Sequence, residues 1–161
     1  MKKYLLSFLI IMGFVFCQSE GPVVQVGFES IIEQDDGSYL LSIYAINKEP
    51  VAGVQFQLIP EGIFIVDSVS GGRCSDAGFM LKSNSKGVII GFSMQGDAIA
   101  PSISNKKEDN ILFTVKAKKV SVNAKGIAMD TIDLKSIFAD RSAKKMSYVS
   151  HPFDLIGKTE K

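Results

Sequence analysis

Short runs in which apolar residues take every second position recur along most of the chain, bounded by turn residues, and no long segment shows a capped helical period. This pattern predicts an all-β fold. The clearest run is "PVAGVQFQL", residues 50–58, where Val54, Phe56 and Leu58 alternate with Gln55 and Gln57. The apolar set is suited to a core, and the two glutamines point the other way. Further strands are expected at 23–28, 39–47, 63–70, 87–94, 110–118, 125–140 and 145–155. Asp36-Gly37, between the first two runs, is a strong hairpin signal. In the strand after Asn110, Ile111, Phe113, Val115 and Ala117 are expected to face the core, with Leu112, Thr114, Lys116 and Lys118 on a wetter face. About nine strands in about 140 residues at short, regular spacing predict a single two-sheet sandwich. The segment 101–110 reads as a charged loop, and 158–161 as a disordered tail.

The N-terminus follows a different pattern. Lys2 and Lys3 precede an almost wholly apolar run, Tyr4 to Phe16, which ends at Cys17. A charged start and a short apolar stretch are the features of a secretory signal, and a comfortable membrane span needs about 20 apolar residues. Residues 1–19 are therefore read as a signal peptide, an uncleaved anchor, or a lipoprotein signal with Cys17 as the lipid-bearing residue. Residues 20–157 form the domain, expected to be secreted or held at the cell envelope, with membrane contact only through that anchor. Without Lys2 and Lys3 the chain holds 16 basic and 17 acidic residues, a net charge of −1. A basic stripe for nucleic acid is not expected at that balance. Cys74 is then the lone cysteine, expected to be a buried small apolar residue.

Residues with chemistry to offer are sparse. His151 is the sole histidine, so any Ser-His-Asp or Cys-His arrangement would have to use it, beside Pro152 in a terminal strand. The metal motifs CxxC, HExxH and the EF-hand loop are missing, and Asp35-Asp36-Gly37 is explained by a hairpin turn. Asp67, Asp76, Asp97, Asp130 and Asp133 have no spacing that pairs two of them in a cleft, and they read as solvated turn residues. "GGRCSDAG", residues 71–78, does not read as the strand-to-helix junction that a phosphate cradle requires. There is no Trp; Phe28, Phe56, Phe92 and Phe113 are expected in the core, while Tyr39, Tyr44 and Tyr148 are candidates for exposure. No enzyme activity, cofactor or metal is expected.

Four segments in order carry a family resemblance: "EPVAGVQFQL", "SGGRCSDAGFMLKSNSKGVIIGFSMQGDAIAPS", "EDNILFTVKAK" and "IDLKSIFADRSAKKM". Their order resembles the cohesins, β-sandwich modules of bacterial scaffold and cell-surface proteins that bind dockerin modules. The likeness spans nearly all of residues 23–156, with Asn110 standing where the family pattern has glycine. It implies a nine-stranded jelly-roll sandwich that works by recognition. The partner would be a dockerin-like or other protein, in a cell-surface or polysaccharide-degrading assembly. Carried over by position, the partner-binding residues are Gln55 and Gln57 on one strand, and Ile89, Gly91 and Ser93 on the "GFS" strand. These five are expected on the side opposite Phe56, Ile90 and Phe92. The alternatives are a carbohydrate-binding module that binds polysaccharide directly, which predicts a row of exposed aromatics, and a structural envelope or adhesion domain. A protein-binding face predicts amides and aliphatics, and the sequence favours that pattern.

Overall fold

A computed structural model describes residues 21–120 and 131–155. The signal segment with Cys17, the start of the 125–140 run with Asp130, and the tail lie outside the described residues. Strands follow one another as β1 (Val24–Glu33), β2 (Ser38–Asn47), β3 (Gly53–Ile59) and β4 (Phe64–Ser70). After a one-turn helix α1 (Gly72–Asp76) come β5 (Met80–Ser83), β6 (Val88–Phe92), β7 (Ile111–Lys119), β8 (Thr131–Ala139), β9 (Tyr148–His151) and β10 (Phe153–Asp154). Two five-stranded sheets pack face to face, in the orders β4-β7-β2-β1-β9 and β10-β8-β3-β6-β5. Among the described residues no helix is long and apolar enough to cross a membrane.

The all-β sandwich expected from the alternation is the observed fold, with ten strands among the described residues where the sequence shows eight runs. One addition is β5, four residues too short to announce itself by periodicity. The other arises because the last run divides at Pro152. β9 runs parallel to β1 in one sheet, whereas β10 pairs antiparallel with β8 in the other. Proline has no N–H to continue a ladder, and the chain changes sheets there. The Asp36-Gly37 hairpin forms as expected: Gly37 takes φ 74°, and its N–H donates to the Gln34 carbonyl at 2.9 Å. Asp36 Oδ1 accepts from the Ser38 N–H at 2.9 Å.

The core fills the space between the sheets. Val26, Phe28, Leu41, Ile43, Phe113 and Val115 meet Val54, Phe56, Leu58, Ile132, Leu134 and Phe138. Phe56 stands edge-on to Phe113 at 5.1 Å and to Phe138 at 5.5 Å. Burial of a large apolar side chain contributes about 1.5–3 kcal/mol, so the alternation that opened "PVAGVQFQL" fixes β3 firmly by one face. Two expectations fail in this region. Leu112 is buried rather than wetter, because α1 lies on β7: a Cβ on Gly72 would sit 2.6 Å from the Ile111 and Leu112 carbonyl oxygens. The glycine pair is thus the close approach of a short helix, where a plain turn was expected. The tyrosines are not free either. Tyr44 is buried with Lys107 Nζ 5.2 Å from its ring centre, Tyr39 packs on Phe64, and Tyr148 packs on Phe138.

Candidate protein-docking face

β3 is the central strand of its sheet, with β6 on one side and β8 on the other. Since Phe56 is held in the core, Gln55 and Gln57 are directed outward. Gln57 is partly engaged, its Nε2 donating to the Lys86 carbonyl at 2.9 Å. Among the described residues nothing hydrogen-bonds the Gln55 side chain. The register places Gln55 opposite Ile90 on β6 and Ile137 on β8, and Ile90 in turn opposite Lys82 on β5. One row across the sheet therefore reads Lys82, Ile90, Gln55, Ile137. The neighbouring row reads Met80, Phe92, Gly53, Ala139.

This register corrects the expected face of β6. Ile89 is 0% exposed and lies opposite Phe56, and Gly91 is buried opposite Val54. Both belong to the inner surface. Ile90 and Phe92, expected in the core, are each 39% exposed on the outer face beside Gln55. The physical reason is the space at Gly91: a Cβ there would lie 2.7 Å from Leu81 Cδ2 and 2.9 Å from Val54 Cγ2. Only a hydrogen fits at that position between Leu81 on β5 and Val54 on β3, so the face that carries Gly91 is the one turned inward. Ser93 follows the end of β6 in a turn, where its Oγ donates to Asp97 Oδ2 at 3.3 Å and accepts from the Gln95 N–H at 3.1 Å. Of the five residues expected to share a surface, the structure brings Gln55 and Gln57 together and turns Ile89 and Gly91 away. Residues missed by sequence reasoning take the vacated places: Ile90, Phe92, Met80 (44% exposed) and Ile137 (41% exposed). The signal for them was Gly91 itself, a residue that tolerates a crowded inner face.

Away from this face the chemistry is structural. Arg73, on α1, directs its guanidinium to the Ala45 carbonyl at 2.8 Å, Asn47 Oδ1 at 2.9 Å, Ser102 Oγ at 3.0 Å and Asn110 Oδ1 at 3.1 Å. It also donates to the Ala100 carbonyl. These neutral acceptors join α1, the end of β2, the 99–102 segment and the turn that leads into β7. Burial lowers the Arg73 pKa from its ordinary value. Cys74 is buried as expected, and loss of solvation pushes its thiol up to about 12. Asp36 is held well below the usual carboxylate range by hydrogen bonds from Ser38 and by Lys116, whose Nζ lies 3.0 Å away. His151 is exposed at the end of β9. Among the described residues no group of three His, Cys, Asp or Glu side chains could hold a metal ion.

Solved structures with the same arrangement supply the comparison. A non-cellulosomal cohesin from the hyperthermophilic archaeon Archaeoglobus fulgidus matches at TM-score 0.52, with 11% identity over 84% of this chain and 93% of its own. The fold is that of a cohesin. The third ScaB cohesin of R. flavefaciens, solved in complex with a group 1 dockerin, matches this cohesin-like domain at TM-score 0.50. Its identity is 11%, over 83% of this chain and 94% of that one. A chain of the CaDoc0917–CaCohA2 complex matches at TM-score 0.51 and 14% identity, covering 81% and 98%. No family model and no curated protein matches the chain. At these identities the cohesin-like domain shares its fold with those proteins, and its site has to be argued from its own residues.

Proposed function

We propose that this cohesin-like domain is a non-catalytic binding module that recognises a dockerin-like or other protein partner through the outer face of β5, β6, β3 and β8. The observation that carries the reading is the open surface around Gln55, where four large apolar side chains surround an unengaged amide. An apolar centre with a few polar groups is the anatomy of a protein interface. The cohesin-like fold, in which one neighbour is held by a dockerin, supports the same partner class. The apolar segment Tyr4–Phe16 behind Lys2-Lys3 supports a secreted or envelope-anchored setting. A row of exposed aromatics, which direct polysaccharide binding predicts, is not seen on this face, where Phe92 is the sole aromatic among the described residues.

The test is a pull-down from the source organism with the wild-type protein and with Gln55→Arg. Recovery of a dockerin-bearing protein by the wild type, reduced at least tenfold by the variant, is the expected result. Gln55 is exposed, so the variant's Tm should stay within about 2 °C of the wild type, as is usual for surface changes. Retention on polysaccharide columns with no protein partner would overturn the proposal.

A further inference from the structure

The charges around the docking face define its partner more narrowly. Lys82 closes the Gln55 row on β5, and Lys135 lies opposite Gln57 on β8. Lys145, bridged to Ala139 at the β8 edge, adds a third cation on the same side. The only ion pair among the described residues joins Lys116 to Asp36 on the other sheet, so none of these three lysines has an ion-pair partner among them. Two acids lie on or beside the face and both are engaged locally: Asp133 Oδ1 accepts from the Leu134 N–H at 2.7 Å and from Ser150 Oγ, and Asp140, next to Ala139, accepts through Oδ1 from the Ser142 and Lys144 N–H groups and the Ser142 hydroxyl. Asp154 lies beyond Asp133, opposite Thr131 at the far edge. The centre of the face therefore holds aliphatic side chains between unneutralised ammonium groups, on a domain whose overall charge is close to zero.

From this arrangement we infer that the partner presents an aliphatic ridge flanked by carboxylates, which meet Lys82 and Lys135. The inference rests on the docking face proposed above. Strands lie about 4.8 Å apart and residues rise about 3.4 Å along them, so the two lysine backbones are about 16 Å apart across the aliphatic centre. A helix rising 1.5 Å per residue covers that span in about eleven residues. A second copy of this domain is a poor occupant, because it would set lysines against lysines. Carboxylates at the rim would speed encounter and reject basic surfaces, while the aliphatic centre and Gln55 hold the docked partner.

The probe is a phage-displayed library of random 16-residue peptides, selected on the immobilised full chain and sequenced. Enriched peptides are then measured at low and high salt against the wild type, Lys82→Glu/Lys135→Glu, Gln55→Arg, and Lys118→Glu on the opposite sheet. The expected peptides carry Asp or Glu on both sides of Leu, Ile or Val. Their affinity should fall at least tenfold with the double charge reversal and with added salt, and stay unchanged with Lys118→Glu. Peptides that lose binding with Gln55→Arg but tolerate the charge reversal would overturn the acidic-partner inference and leave the docking face standing. Peptides indifferent to both, or no enrichment above a blank surface, would overturn the face and this inference together. Circular dichroism on each variant separates lost binding from lost folding.

Discussion

Arg73 shows how much a single residue can organise without any sign in the sequence. It lies in "GGRCSDAG", where nothing distinguishes it from a solvated turn arginine. In the folded domain its fork serves the carbonyls of Ala45 and Ala100 and the side chains of Asn47, Ser102 and Asn110. Asn47 and Asn110 are both buried. The partner set also explains why asparagine stands at 110, where the resemblance expects glycine. Asn110 offers Oδ1 to Arg73 while its Nδ2 donates to the Ser104 and Lys106 carbonyls at 2.8 and 2.7 Å. Leaving buried acceptors without a donor costs about 1–3 kcal/mol per group. Arg73→Met should therefore lower the unfolding free energy in urea by about 3 kcal/mol. Arg73→Lys should fall between, since a point charge cannot serve a forked set of acceptors. A loss under about 1 kcal/mol for the methionine variant would show that the network is dispensable.

At the scale of elements, β3 and β6 make a contrast. β3 alternates large apolar residues with glutamines, so one assignment of faces is possible and the structure follows it. β6 reads "VIIGF", apolar on both faces, so local pattern permits either orientation. The larger set, Val88, Ile90 and Phe92, is the natural choice for a core, and it is the wrong one. What decides is the pair of neighbouring strands, whose Leu81 on β5 and Val54 on β3 flank Gly91 and leave no room for a side chain. Gly91→Ala should cost about 1–3 kcal/mol through overpacking, because Val54 on the central strand must give way as well as Leu81 on the edge strand. Faster hydrogen exchange confined to the amides of β5 and β6 would locate that strain. Unchanged exchange there would mean that the crowding is absorbed elsewhere.

Across the whole molecule, Cys74 reports on the integrity of the fold. Its thiol ionises at about 12 in the folded domain, against 9.0 for a solvated thiol. Below pH 9 both states keep the proton, and the thiol adds no pH dependence. Above it the unfolded chain loses its proton first, so stability should fall by about 1.4 kcal/mol per pH unit until the folded thiol also titrates. Burial raises Tyr39 and Tyr44 as well, and they add their own loss above pH 10. Urea unfolding between pH 9 and 10 should show the slope in the wild type and lose most of it in Cys74→Ala. An equal slope in both would assign the alkaline loss to other groups. The alternation of β1, β2, β3, β7 and β8, the hairpin at Asp36-Gly37 and the core role of Phe56 were all legible in the sequence, because side-chain direction along a strand has period two whatever its neighbours are. The outward turn of Ile90 and Phe92, the burial of Leu112 beneath α1, the change of sheet around Pro152 and the convergence of polar groups on Arg73 were not. Each depends on volume and hydrogen-bonding partners supplied by segments distant in the chain, and only packing two sheets and a helix together decides where that space and those partners lie.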